Sequence, residues 1–429
     1  MRFFLLLGIV AGLAWAVSVN AADRAQRPPK PLTLEQALAW GQDNNPTLRG
    51  ARIELRRQQG ALEHADRSVP SNPELQFKAG DRDRPDGTST TDIGIRLSQE
   101  LWIAGQGGLR EDAAQASVSG AQAKLDFLQQ SIAARIRAAF LKVLVAKRAV
   151  ATAEQVLAVN RDLSEYAQRR LDAGQGTRLQ TNTARIGAGR ARALLAKAEN
   201  RHTRARLRLA ELLALDPSQP LPLTGELTPS QLAIPSEKKL LRRAVQRRGD
   251  LAAAGQAVTA AQGKLKLARR RIIPNLRVFG FYKEENKNEI AGGGVAVELP
   301  LLHQYEGERQ QANARLDAAR LERRTLQVTV RQQVLEALSD YRNARKRVAA
   351  LGDDVVAAAR ENFELTQRAI EAGELGAPAL TTAQDTLINT RREYLEALEA
   401  LVTAGSDLER ATGGLLVMDN PAKPNGATQ

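Results

Sequence analysis

The chain has 429 residues, with 62 Lys or Arg against 48 Asp or Glu and no Cys. The absence of Cys excludes disulfides, thiolate metal sites, cysteine nucleophiles and acylation of an N-terminal Cys. The net charge of +14 invites a nucleic-acid interpretation. However, the Arg residues are scattered along Ala-rich segments, so we interpret them as solvated helix faces and expect no nucleic-acid partner.

The N-terminus has the pattern of an export signal. Arg2 precedes an apolar run from Phe3 to Val17, and Val19-Asn20-Ala21 supplies a small-x-small cleavage site. The run has about 15 residues, fewer than the ~20 that span a bilayer as a helix. We therefore predict a signal peptide over residues 1–21 and export of the chain that follows it.

The distribution of Pro permits two very long helices. None of the 17 Pro lies between Asp86 and Asp216, and none lies between Leu301 and Ala377. Because Pro inside a helix costs about 3 kcal/mol, each of these gaps can hold an unbroken helix. A chain of many short strands and turns is excluded.

Residues 22–216 form the first of two predicted repeats. Its predicted elements are strands at about 74–80 and 91–101, a long helix at about 106–172 and a return helix at about 178–215. Apolar residues in the long helix recur at steps of three and four, for example Leu125, Leu128 and Ile132, which is typical of coiled-coil packing. A helix of this length would extend roughly 100 Å.

A Pro-rich joint, predicted at 217–235, precedes the second repeat at 236–414, which is offset from the first by about 200 residues. Its predicted elements are strands at about 275–282 and 294–301, a long helix at about 305–371 and a return helix at about 379–412. Gly174, and Gly373 or Gly376, can adopt the left-handed conformation that ends a helix. Residues 415–429 are predicted to be a flexible tail.

The predicted strands alternate between apolar and polar residues, as in Asp92-Ile93-Gly94-Ile95-Arg96-Leu97-Ser98. This two-residue period indicates a sheet with one face exposed to water. Alternation alone is equally compatible with a small soluble hairpin and with membrane-spanning strands. Four strands are too few to close a barrel, so membrane-spanning strands would require a barrel shared between subunits, with 12 strands from three chains.

No enzyme is predicted from the titratable residues. His64, His202 and His303 lie in separate elements, and no paired-carboxylate cluster is found. Asp353-Asp354 is interpreted as a solvated helix face. We therefore expect no catalytic residue, no metal site and no cofactor.

Several segments, in the same order in both repeats, resemble the TolC-like outer-membrane efflux factor family. They are Leu97–Gly105, Val297–Leu301 and the helix ends Ala173-Gly174 and Ala372-Gly373. The segment Trp102–Arg110 is most similar to the branch that pairs with heavy-metal exporters. The resemblance implies a mostly helical α+β fold and a homotrimer. In this assembly a 12-stranded β-barrel in the outer-membrane lipid of a Gram-negative bacterium continues as a periplasmic α-helical barrel.

The resemblance also implies a passive exit duct for substrates such as metal ions or drugs, joined through a periplasmic adaptor to an inner-membrane pump. Six residues at the helical tips are the candidates that face the adaptor: Ala173, Gly174, Gln175, Ala372, Gly373 and Glu374. Two other functions remain open, a periplasmic coiled-coil adaptor and a purely structural coiled-coil protein. Two hairpins of equal length and little other β structure argue against the adaptor.

Some members of the family carry two acidic residues, three apart, after the second tip, where they form a cation-sensitive constriction. Here those positions are Ala379 and Thr382. A polar constriction is therefore predicted in place of an acidic ring. Its candidate residues are Gln180, Asn182, Thr382 and Asp385.

Overall fold

A computed structural model describes residues 31–225 and 234–414, apart from positions 84, 86, 287, 373 and 376. The predicted signal peptide, the C-terminal tail and residues 226–233 of the predicted joint lie outside the described residues. Within the described ranges, no helix combines the length and the apolar character needed to cross a membrane.

The described elements follow one order twice: two helices, two strands, a long helical rod and a returning helix. In the first repeat they are α1 (Leu34–Asn44), α2 (Pro46–Ala65), β1 (Glu74–Asp83), β2 (Ser89–Leu101), α3 (Gln106–Asp172) and α4 (Arg178–Leu212). In the second they are α5 (Glu237–Arg247), α6 (Gly249–Arg270), β3 (Leu276–Glu285), β4 (Asn288–Val297), α7 (Glu306–Ala350), α8 (Asp353–Glu371) and α9 (Ala377–Ala411).

The four strands form one antiparallel sheet in the order β1-β2-β3-β4. The central pair joins the repeats, because β2 of the first repeat pairs with β3 of the second in the register Ile95↔Tyr282. Strands β1 and β4 are the edges of the sheet.

The position of β4 corrects the predicted strand at 294–301. It begins at Asn288, where it pairs with Glu285 across a tight turn, and it ends at Val297. Gly292, Gly293 and Gly294 lie within the strand and carry no side chain that could reveal the alternation. The prediction therefore relied on the alternating residues that follow Gly294, and it placed the strand too far towards the C-terminus of the chain.

The predicted single helix at 305–371 is also corrected, because α7 ends at Ala350 and α8 begins at Asp353. Gly352 is extended, with φ −50° and ψ 175°, and its carbonyl accepts the N–H groups of Val355 and Val356. Gly has poor helix propensity, and the acidic residues that follow it favour a new helix N-terminus. In the first repeat, α3 is continuous over 67 residues.

Each repeat has its own apolar core at the level of its short helices. The first core lies among α1, α2, α3 and α4 and includes Leu48, Ile136 and Phe140. The second lies among α5, α6, α7 and α9 and includes Leu240 and Tyr341. Both cores lie far from the helical tips. The halves of the long helices that are nearer the tips are therefore stabilised by narrower contacts between neighbouring helices.

Polar contacts connect the two repeats along α3 and α9. The Arg137 guanidinium lies 2.5 Å from the Glu409 carboxylate, whose side chain is 7% exposed. The Ser406 hydroxyl donates to the Ala134 carbonyl at 3.0 Å. The two long hairpins are therefore held side by side within one chain.

The residues at the N-cap positions of α2 and α6 are equivalent in the two repeats but make different bonds, and the Arg248 side chain makes no capping hydrogen bond. The Asn45 side chain accepts the N–H groups of Thr47 and Leu48 and donates to the Leu212 carbonyl at 2.8 Å. Arg248, 5% exposed, pairs with Asp250 at 2.5 Å, donates to Gln333 at 2.7 Å and stacks over the Phe127 ring.

Candidate functional site

The sheet has two chemically distinct faces, because residues directly opposite each other in the register point to the same side. One side, the apolar face, carries large side chains that are between 42% and 70% exposed. They are Leu75, Phe77, Ile93, Ile95, Leu97, Tyr282, Val295 and Val297. Burying so much apolar surface would be strongly favourable, so this face fits an apolar surrounding.

The apolar face continues past the strand ends towards the helices. Leu299, Leu301 and Leu302 follow β4 and are 66%, 75% and 94% exposed, and Ile103 follows β2 and is 54% exposed. Together with the strand residues they make up a large set of exposed apolar side chains. So many exposed large apolar side chains are unusual for an ordinary soluble monomer.

The opposite side, the polar face, carries an ion-pair network near the hairpin turns. Arg82 on β1 pairs with Asp92 on β2 at 2.8 Å and with Glu285 on β3 at 2.6 Å, and Lys283 also pairs with Glu285 at 2.6 Å. The Asn286 N–H donates to Asp92 at 3.0 Å. This network connects three strands at the end of the sheet that is remote from the helices.

The centre of the polar face carries a stack of Arg and Phe that the sequence reasoning missed. The Arg96 guanidinium lies 4.8 Å from the centre of the Phe279 ring, and the Phe279 and Phe281 rings are 6.4 Å apart. The alternation of β3 was the available signal, because it places both Phe on the face opposite the apolar residues.

The first helical tip is built by a left-handed glycine. Gly174 has φ 71°, and its N–H donates to the Leu171 carbonyl at 3.0 Å. The Gln175 N–H reaches back to the Arg170 carbonyl at 2.8 Å. These bonds satisfy the last carbonyls of α3, and they leave the side chains of Ala173 and Gln175 exposed.

The second tip repeats this pattern for the residues that are described. The Ala372 N–H donates to the Arg368 carbonyl at 3.0 Å, and the Glu374 N–H donates to the Ala369 carbonyl at 2.9 Å. Ala372 and Glu374 are exposed. Gly373, the sixth candidate at the tips, lies outside the described residues.

Apolar side chains surround the tips. Leu179 at the start of α4 is 76% exposed, Tyr166 near the end of α3 is 53% exposed, and Leu375 is 47% exposed. Arg170 lies over the Tyr166 ring at 6.0 Å. The tips therefore combine fixed backbone turns with exposed apolar side chains, as is common for protein-binding surfaces.

Among the candidates for the constriction, Gln180 has a capping role that the sequence reasoning overlooked. Its side-chain oxygen accepts the Thr177 N–H at 3.1 Å, while the Thr177 hydroxyl accepts the Gln180 N–H at 3.2 Å. This reciprocal pair is a capping box, and the spacing Thr-x-x-Gln was the available signal. The Gln180 amide is thus already engaged at the start of α4.

The other candidates for the constriction are exposed on the return helices. Asn182 lies on α4, and Thr382 and Asp385 lie on α9. The return helices meet further from the tips, where Arg201 on α4 pairs with Glu399 on α9 at 2.5 Å. In the part of the chain that is described, no group of three or more His, Cys, Asp or Glu could hold a metal ion.

Comparison with known proteins identifies the relatives of this chain. It is 28% identical over 426 residues to the cobalt-zinc-cadmium resistance protein CzcC of Cupriavidus metallidurans, with 96% of this chain and 99% of CzcC covered. It is 29% identical over 416 residues to protein CyaE of Bordetella pertussis, with 89% and 85% covered.

The fold is also that of a solved outer-membrane channel. The open state of MtrE from Neisseria gonorrhoeae matches with a TM-score of 0.75 at 20% identity, and 89% of each chain is covered. A family model described as outer membrane efflux protein matches residues 37–215 and 240–414. Because these segments make up most of the sequence, the chain belongs to the outer membrane efflux protein family.

Proposed function

We propose that this outer-membrane protein is the exit duct of a tripartite efflux system and conducts its cargo passively. The observation that carries the proposal is the two-faced sheet at one end of the helical rods. An exposed apolar face suits lipid, and a polar face on the other side of the same strands suits a water-filled channel. The strands have 10 to 13 residues, enough to cross a membrane when tilted.

The free edges of the sheet support assembly into a homotrimer. In lipid, each unpaired backbone N–H or C=O at β1 and β4 would cost several kcal/mol. Pairing β4 of one copy with β1 of the next would be antiparallel, as are all pairs within the sheet. Three copies would supply 12 strands, which is an even number and enough to close a barrel.

The tips are proposed to contact a periplasmic adaptor, which would join the duct to an inner-membrane pump. Support comes from the exposed Leu179 and Leu375 beside turns whose backbone is already fixed by hydrogen bonds. A surface that is ordered before binding loses less entropy on association. The proposed contact residues are Ala173, Gly174, Gln175, Ala372, Gly373 and Glu374.

The constriction is proposed to be polar, formed by the exposed Asn182 and Thr382 with Asp385 as a single acidic contribution. Gln180 is a weaker candidate, since its amide takes part in the capping box. If this is correct, divalent cations will not block the pore at low concentration. Potent block that persists in Asp385→Ala would contradict the proposal, because it would require another acidic site.

The cargo is proposed to be metal ions or drugs, with metal ions first to be tested because the relative CzcC is named for cobalt, zinc and cadmium resistance. The chain is proposed to act without a catalytic step and without a cofactor. The energy for transport would come from the inner-membrane pump, and the duct would only provide the channel through which the cargo leaves the cell.

Purified full-length protein added to a planar lipid bilayer tests the proposed duct. We expect discrete, long-lived open channels, outer-membrane fractionation and a detergent-stable trimer. A soluble periplasmic monomer without conductance would contradict the proposal and favour a coiled-coil adaptor or structural protein.

The contribution of the tips can be tested separately by replacing Gly174 and Gly373 with Val. Val is strained at the φ of 71° found for Gly174, so the turn would be distorted without changing the sheet. We expect normal conductance but loss of adaptor binding and of export. Gly189→Val is the matched control, because a Cβ there would meet nothing within 4 Å. Intact export with the double variant would remove the adaptor role from the tips.

A further inference from the structure

The Arg96 side chain is held in place at the centre of the polar face. Arg96 lies directly opposite Phe281 in the β2–β3 register, and its guanidinium leans along the strand to lie 4.8 Å from the centre of the Phe279 ring. Such cation–π contacts orient a guanidinium while leaving its edge free to donate hydrogen bonds. Arg96 is exposed, so that edge is accessible.

The neighbouring strand leaves room for the two aromatic rings. A Cβ on Gly292 would lie 2.7 Å from the Phe281 ring, and a Cβ on Gly294 would lie 2.9 Å from the Phe279 ring. The rings therefore lie over the bare backbone of β4 and are inclined to each other by 30°. Together with Arg96 they form a shallow platform with a cationic edge.

Three carboxylates of the polar face are engaged elsewhere, while Glu74 on β1, opposite Ser98, forms no ion pair with Arg96. Asp92 and Glu285 are bound by Arg82, and Glu100 accepts a hydrogen bond from Asn275 at 2.8 Å. Among the described residues, no carboxylate lies within 4 Å of the Arg96 guanidinium. Lys78, one row nearer the turns, adds a second positive charge. The Arg96 guanidinium thus carries a positive charge that no ion pair with a described residue neutralises.

We propose that Arg96, Phe279 and Phe281 form a binding subsite for small aromatic carboxylates on the inner wall of the duct. The guanidinium donates two parallel hydrogen bonds to the carboxylate, and the exposed side of the Phe281 ring packs against the aromatic body. The subsite rests on the proposed function, since a trimeric channel would place three copies of it around the lumen.

Single-channel recording of the purified full-length protein with sodium benzoate tests the subsite. Benzoate is expected to reduce the open-channel current at a lower concentration than acetate, which lacks the ring. In Arg96→Gln, the half-blocking concentration of benzoate is expected to rise about tenfold, in line with the loss of a bidentate charge-assisted contact. Phe281→Leu is expected to remove the preference for benzoate over acetate while the positive charge remains.

Two controls separate the subsite from general effects of charge and folding. Arg96→Lys keeps the charge but not the planar fork, so it should weaken the block by benzoate and by acetate while the Phe281 ring preserves the preference for benzoate. Arg110→Gln removes another Arg that stacks on an aromatic ring, Trp102, outside the sheet, and should leave the block unchanged.

Normal benzoate block in Arg96→Gln would overturn the subsite, as would equal block by benzoate and acetate in a wild-type protein that conducts normally. A wild-type protein that forms no channel would instead refute the proposed duct, and with it a subsite in its lumen.

Discussion

The rods of the two repeats have nearly the same extent in sequence but differ in continuity. α3 is unbroken for 67 residues, whereas α7 and α8 are separated at Leu351 and Gly352. Because α3 begins at 106 and α7 at 306, an offset of 200 places Gly352 opposite Thr152, which lies within α3. The duplicated sequence pattern therefore determines how long the helical segment is in each repeat. Whether the segment is one helix or two depends on one or two residues, here Leu351 and Gly352.

The positions of Asn45 and Arg248 extend this comparison to the helix caps. Asn45 completes its contacts within the first repeat, at the end of α4. Arg248 bonds to α7 and also reaches Phe127 on α3 of the first repeat. In the second repeat the longer, charged side chain of Arg248 thus connects the two repeats. This contact requires a buried guanidinium, which is stable only while it is paired.

The largest expected effect is that of Arg248→Met. Removing the guanidinium leaves Asp250, whose side chain is 20% exposed, without its partner, and losing one member of a buried pair costs about 3–5 kcal/mol. The apparent unfolding temperature of the purified protein should fall markedly. Arg242→Met on the exposed side of α5 is the control and should change stability by about 0.5 kcal/mol or less. Equal unfolding temperatures for the two variants would contradict the role of Arg248.

The second prediction concerns pH and the pair formed by Arg137 and Glu409. Burial raises the pKa of the Glu409 carboxyl above its ordinary value, although the Arg137 guanidinium acts in the opposite direction. The folded protein therefore binds this proton more readily than the unfolded chain, and stability from this group falls as pH rises through the folded pKa. The unfolding temperature of Glu409→Gln should therefore lack the decrease with rising pH that comes from this carboxyl.

Arg137→Met sharpens the same test. The ionised Glu409 would lose its partner, so the variant should be destabilised at neutral pH by about 3 kcal/mol and recover in part as the pH falls and the carboxyl is protonated. Unfolding temperatures measured across mildly acidic to neutral pH check both variants. If the destabilisation of Arg137→Met instead increased as the pH falls, it could not come from an unpaired, ionised Glu409, and this interpretation of the pair would be wrong.

Asn45→Ala should have a smaller effect than Arg248→Met. The substitution removes a helix cap and a buried hydrogen bond to the Leu212 carbonyl, a loss of about 1–2 kcal/mol. Asp43→Ala, exposed in the same turn, is the control. If Asn45→Ala were as harmful as Arg248→Met, the two caps would be equivalent in energy despite their different bonds.

The smallest expected effect is that of Gly352→Ala, which makes the second rod more like the first. The φ of −50° and ψ of 175° are accessible to Ala, and replacing Gly by Ala reduces the conformational entropy of the unfolded chain, which stabilises the fold by up to about 1 kcal/mol. The Asp354 carboxylate must move, since the new Cβ would lie 2.8 Å from it. Hydrogen exchange should slow at residues 349–356, and faster exchange there would indicate that the break is required by its surroundings.

Periodicity and turn residues were sufficient to predict the order of the strands, long helices and return helices and the left-handed turn at Gly174, because these depend on local properties. The short helices α1 and α5 were not predicted. The break at Gly352 was not predicted, since a single Gly within an apolar period is compatible with either outcome. The bounds of β4 were displaced because three glycines hide the alternation. The stack of Arg96 on Phe279 depends on the register between strands in different repeats, which local sequence does not determine.

The pairing of β2 with β3 also governs when the sheet can form. Ile93 and Glu284 are partners although almost half of the chain separates them. The backbone edge of β2 therefore stays unpaired until the second repeat is available to supply β3. Such a long closure is slow and favours aggregation of the unfinished chain. The same pairing that joins the two repeats in the finished sheet thus makes its first hairpin the part of the chain most prone to aggregation during folding.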